Sequence, residues 1–230
     1  MPVVSRFLII AGLLLICGYG LYTSYTRGNA NGWYFKADFA LNAWAKAGKI
    51  EDSNAYQEAL AAIQKAHAMD PGHPHYVHML GRILHQGVDY QFEPNSTLAQ
   101  VKDLYLQATE LRPLWPDPWI DLARLNNYLH GYNDDTRYYL KQAMAVGPFI
   151  DLVTLGALQV LLENWTDLTG ADRTLLFEQF AVAVKQPKVL KAVLVYARQV
   201  NREKIVCLQL KFNPEYKQQK LSSMYAQFCR

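Results

Sequence analysis

Val101-Lys102-Asp103-Leu104-Tyr105-Leu106-Gln107-Ala108-Thr109-Glu110-Leu111-Arg112-Pro113 is the stretch that decides the fold. Its Val101, Tyr105, Ala108 and Pro113 restate Ala59, Ile63, Ala66 and Pro71, and recur as Asp135, Tyr139, Ala143 and Pro148. Each copy has Ala in third place and Pro five positions later. The spacing of four then three, or four then four in the last copy, keeps the residues on one helix face. Small residues there let a second helix approach closely, and the proline ends the run. A helix that buries one face must stack on a neighbour, so the recurrence predicts an array of helix pairs.

Working outward, a stripe precedes each copy. Trp33, Ala37, Ala40, Leu41 and Trp44 lie at helical spacing and end at Gly48. Asp52 or Ser53 caps the next helix, which runs to Asp70. Val77, Leu80-Gly81 and Leu84 then form the stripe of a helix starting near Pro74. Trp119, Leu122-Ala123 and Leu125 do the same after Pro116. Past Pro148, the segments Leu152 to Trp165, Asp172 to Lys185, Pro187 to about Cys207, and Pro214 to Phe228 read as four more helices without the phrase. They suit a cap for the array.

The N-terminal run Phe7 to Tyr22 contains no charge, and Tyr22 and Tyr25 suit a bilayer interface. Bulky residues at 19–25 and Ile16 before Cys17 disfavour cleavage by a signal or lipoprotein peptidase. Residues 1–28 therefore read as an uncleaved anchor, with Asn29-Ala30-Asn31-Gly32 as a breaker after it. A six-residue tail ahead of the apolar run normally stays inside, which places the C-terminal bulk across the membrane, while Arg27, Lys36 and Lys46 argue mildly for the opposite orientation. Arg6 and Arg27 are the only charged side chains among the first thirty residues, leaving 21 basic against 20 acidic in the remainder. That balance excludes a nucleic-acid partner. Cys207 and Cys229 either pair in an oxidising compartment or stay as buried thiols.

These features resemble the tetratricopeptide repeat. Val77-His78-Met79-Leu80-Gly81 and Trp119-Ile120-Asp121-Leu122-Ala123 match its first-helix signature. The closing prolines lie 42 and then 35 residues apart, against a family period of about 34. An extended loop at Gly87 to Asn95 accounts for the longer interval. The implied fold is all-α: a transmembrane helix, then antiparallel helix pairs over 31–150 in a superhelix, with 151–230 as continuation and cap. The order of anchor, helix Trp33 to Lys46, Met69-Asp70-Pro71-Gly72-His73-Pro74 and Leu111-Arg112-Pro113 is similar to small VpsP-type proteins of bacterial exopolysaccharide biosynthesis loci. That resemblance implies a non-catalytic accessory factor of the inner membrane. Its periplasmic repeats would bind a partner protein of polysaccharide synthesis or export, or an acidic polymer.

In such an array the first helices line a groove. His75, His78, Arg82 and His85 project into an arc of about 80°, and Asp117, Ile120, Arg124 and Asn127 repeat the pattern. Arg82 and Arg124 are 42 residues apart, matching the interval between Pro71 and Pro113. With Tyr128 they form a candidate surface for an acidic ligand held by bidentate hydrogen bonds. The clustered histidines lack cysteine or a His-Glu-x-x-His pattern, so no metal is expected, nor any other cofactor. Trp119 reads as a packing residue rather than a sugar platform. Two further readings stay open: an adaptor for cell-division or cytochrome-maturation machinery, and a small enzyme acting on lipid-linked sugars through Asp117, Asp121 or His130.

Overall fold

A computed structural model describes residues 3–229. The chain is all-α, with no strand among the described residues, and consecutive helices pack as antiparallel pairs in the tetratricopeptide-like manner. Two compact units are distinguished, residues 1–111 and 112–230.

The first unit holds α1 (Val3–Ala47), α2 (Ser53–Met69), α3 (Pro74–Asp89) and α4 (Thr97–Leu111). The breaker expected at Asn29 to Gly32 does not break anything: α1 is one helix of 45 residues. A helical glycine costs only about 1 kcal/mol relative to alanine, and the tertiary contacts of this stretch outweigh it. Ala30 is fully buried, and Asn31 Oδ1 accepts a hydrogen bond from the Tyr76 hydroxyl at 2.8 Å. Farther along, Ala37, Leu41 and Trp44 continue the buried stripe. The helix stops at Gly48, whose φ of 66° lies in the left-handed region that glycine reaches without strain.

From Ile9 onward α1 is also long and apolar enough to cross a membrane, with a mean hydropathy of 1.4 in its best stretch, none of it buried. Leu14, Leu15, Ile16 and Leu21 present their side chains outward with nothing of the protein over them.

The recurring phrase does the work expected of it in its first two copies; in the third, Asp135 is exposed and Thr136, Leu140 and Ala143 make the buried face. Ala59, Ile63 and Ala66 on α2, and Val101, Tyr105 and Ala108 on α4, are all buried. Gly81 shows why the α3–α4 seam needs a small residue: a Cβ there would sit 2.7 Å from the Tyr105 ring. Asp52 caps α2 by accepting from the Ala55 amide at 2.8 Å, a contact typically worth about 1 kcal/mol. The long interval between the first two prolines becomes a loop folded back on α2. There Phe92 stacks on Tyr56 with centroids 5.2 Å apart, and Glu93 Oε1 accepts from the Tyr56 hydroxyl at 2.9 Å.

The second unit contains α5 (Pro116–His130), α6 (Asp134–Val146), α7 (Asp151–Glu163), α8 (Gly170–Val184), α9 (Pro187–Gln199) and α10 (Glu203–Phe212). A 3₁₀ turn, Pro214–Tyr216, then leads to α11 (Lys217–Lys220) and α12 (Ser223–Phe228). Its core is continuous from Ile120 to Phe228. Here two sequence expectations are corrected. The helix from Pro187 to Cys207 is split, because Asn201 takes φ 57° and the Arg202 amide reaches back to Ala197 O at 2.7 Å, closing α9. The Pro214 to Phe228 segment is three short elements, interrupted where Ser222 caps α12 by accepting from the Tyr225 amide. Cys207 and Cys229 are joined in a disulfide with Cα atoms 5.4 Å apart, which decides the alternative that the sequence left open.

Candidate functional site: the first-helix faces

In the second unit the first helices of successive pairs, α5, α7 and α9, pack one on the next. Gly156 permits the α5–α7 contact: a Cβ there would lie 2.6 Å from Ile120 Cγ1. Ile120 is consequently fully buried. This corrects its placement on an open face with Asp117, Arg124 and Asn127.

The polar edge of these three helices is a connected cluster. Asn127 Nδ2 donates to Glu163 Oε2 at 3.1 Å, and Asn164 Nδ2 donates to Asn127 Oδ1 at 2.8 Å. The second Asn164 contact, 2.8 Å to Val160 O, fixes that amide at the end of α7. On α9 the Tyr196 hydroxyl is made harder to ionise by burial first and by the Glu163 carboxylate next, while Arg124 opposes both. Arg124 is exposed, and Tyr128, one turn on, is 73% exposed. Asp117 stands half-buried in the first turn of α5, where a carboxylate suits the helix dipole.

The sequence reading reached Arg124, Asn127 and Tyr128 but missed Glu163, Asn164 and Tyr196. Glu163 and Asn164 lie beyond the last copy of the phrase at Pro148, and nothing in the spacing tied Tyr196 to α5. Both Asn164 N–H donors are taken up within the cluster, on Asn127 and Val160, so the edge presents the Arg124 guanidinium and the remaining Asn127 N–H beside one carboxylate.

In the first unit, α3 carries the other half of the expected set. His75 approaches Tyr34 of α1 with ring centroids 6.4 Å apart, and Arg82 is half-buried. Two residues depart from expectation. His78 is only 3% exposed and packs on Tyr105 at 5.4 Å. His85 Nδ1 lies 3.3 Å from the Tyr105 hydroxyl. Both therefore face α4 and belong to the helix seam. The physical reason is that α1, α2 and α4 all pack against α3, so little of its circumference stays open. Arg82 lies in the first unit and Arg124 in the second, so each is assigned within its own unit. His67 on α2 is half-buried, and burial lowers its proton affinity. Among the described residues no three His, Cys, Asp or Glu side chains converge as a metal site would require.

No protein-family model matches the chain, and no curated protein matches it either. Among solved structures it is similar to the crystal structure of YrrB, a TPR protein with an unusual peptide-binding site. The identity is 17% and the TM-score 0.44, over 84% of this chain and 88% of that one. The peptide site is a property of YrrB. The helix-pair architecture of the present chain stands on its own packing.

Proposed function

We propose that this protein is a non-catalytic, membrane-anchored scaffold whose first-helix faces bind a partner protein of a bacterial exopolysaccharide synthesis or export complex. The observation that carries the binding role is the polar edge of α5, α7 and α9, where Asn127 donates to Glu163, Asn164 donates to Asn127, and Arg124 stands exposed near Tyr196. On α3 of the first unit we assign a contact of its own to Arg82, with His75 on the same helix. His78 and His85 are dropped from the contact set because they face α4. An acidic segment of the partner fits the exposed Arg124 on the second unit, since guanidinium pairs with carboxylate in a bidentate fashion.

The membrane placement draws support from α1, which has the length and hydropathy of a span. The Cys207–Cys229 disulfide supports a periplasmic location for the bulk of the chain, because such bonds persist in oxidising compartments. For the polysaccharide context we rely on the resemblance to VpsP-type proteins in the order of the anchor, the helix Trp33 to Lys46, Met69 to Pro74 and Leu111 to Pro113.

The test is affinity capture of the full chain from detergent-solubilised membranes of its own host, wild type against Arg82→Ala/Arg124→Ala. The wild type is expected to recover a glycosyltransferase or export component that the double variant loses. Equal recovery of every protein by both would refute the groove. Recovery of division or cytochrome-maturation proteins instead would refute the polysaccharide context.

A further inference from the structure

Because α1 is unbroken, the apolar segment and the folded body share one rigid axis. The antiparallel return of α2 brings its C-terminal end back toward the apolar segment. Arg27 Nε meets Asp70 Oδ2 at 3.3 Å, and Tyr76 at the start of α3 meets Asn31. The α2–α3 turn, Pro71-Gly72-His73, is thereby fixed beside Arg27, with Pro71 and Gly72 exposed.

Arg27 follows Tyr22, the last residue of the apolar run, by five positions, or about 7–8 Å at 1.5 Å per residue. The headgroup layer on one side of a bilayer is about 5–8 Å thick. From these distances we infer that the α2–α3 turn and Arg27 form a membrane-contact surface seated among lipid headgroups. The far end of the hairpin at Ala47 stands about 30 Å above it. Tilting α1 by as much as about 40° would still leave about 23 Å of height difference. The Arg27 side chain is 70% exposed while it contacts Asp70, so its guanidinium reaches lipid phosphates as well. Interfacial aromatics support the same depth, since Tyr22 and Tyr25 are 67% and 73% exposed and such rings settle at the headgroup level. The inference rests on the reading of α1 as a span and holds for either orientation.

The test places one fluorophore at a time on the full chain in a Cys17→Ser background, through Gly72→Cys, Lys49→Cys or Leu14→Cys. A side chain at Gly72 meets no atom within 4 Å, and Leu14 is 68% exposed on α1. The protein is reconstituted in phosphatidylethanolamine–phosphatidylglycerol vesicles carrying a nitroxide on the headgroup or on the acyl chain. Headgroup nitroxide is expected to quench the Gly72 label about threefold more than the Lys49 label, given their separation of about 30 Å along α1. Acyl-chain nitroxide is expected to quench the Leu14 label most. If Leu14 is quenched as expected but Gly72 is quenched no more than Lys49, the contact surface is refuted while the span stands. If Leu14 escapes the acyl-chain quencher, the span and the contact surface both fall.

Discussion

The Arg137 guanidinium grips both oxygens of the Asp172 carboxylate, with Nε to Oδ1 at 3.0 Å and Nη2 to Oδ2 at 3.3 Å. This ties α6 to α8 across 35 residues of sequence. Asp172 also closes the capping box of α8 with Thr169, so one buried carboxylate serves a helix start and a helix pair together.

Burial raises the proton affinity of Asp172, but hydrogen bonds from Thr169 and Arg137, with Tyr132 adjacent, outweigh it and hold the pKa down to about 2. An unfolded aspartate titrates near 3.9. The stabilisation is therefore complete above about pH 4 and drains away as the pH falls toward 2, on the order of 2 kcal/mol in all. Arg137→Ala strands the carboxylate and is expected to cost about 3 kcal/mol at pH 7. Urea melts at pH 7 and pH 3 check both statements: the difference between wild type and variant should shrink at the lower pH.

Glycine substitutions separate close packing from mere helix interior. At Gly87 a Cβ would lie 2.3 Å from the Tyr56 hydroxyl oxygen and 2.8 Å from Glu93 Cγ. Gly87→Ala is expected to destabilise by about 2 kcal/mol or more, through displacement of a buried ring. At Gly32, inside α1, a Cβ meets nothing within 4 Å. Gly32→Ala should stabilise by up to about 1 kcal/mol. Thermal unfolding of the detergent-solubilised variants reads the two opposite signs.

The disulfide closes a loop with a sequence separation of 22. Removing it by Cys207→Ser/Cys229→Ser is expected to cost about 3 kcal/mol in the chain-entropy description. The loss should be local as well. Arg198 Nη2 donates to Gln227 O and Phe228 O at 3.2 and 3.1 Å, and these contacts lose their clamp. Hydrogen exchange is expected to rise over 213–229 while α7 stays protected.

Much of the fold was legible because it depends on local signals. Pro71 and Pro148 stand just beyond α2 and α6, whose C-caps are Asp70 and Gly147, and the alanines of the phrase are buried in all three copies. What the sequence concealed came from distant partners. Asn29 to Gly32 looks like a break until Tyr76, 45 positions on, supplies the hydroxyl that Asn31 accepts. Asn201 ends α9 without glycine or proline, by adopting a left-handed backbone that asparagine tolerates better than most residues. The candidate site divides in the same way. Arg124 and Asn127 share a face by spacing alone, whereas Glu163 and Tyr196 join them through the stacking of α5, α7 and α9. His78 and His85 were misplaced because one helix read in isolation does not reveal which neighbour covers it.

An unjointed α1 gives the first unit the mechanics of a post rather than a leash. A twist applied to the N-terminal end of α1 would turn the packed body of the first unit through the same angle. On the proposed membrane placement that body would rock with the tilt of the span rather than swing freely on a tether.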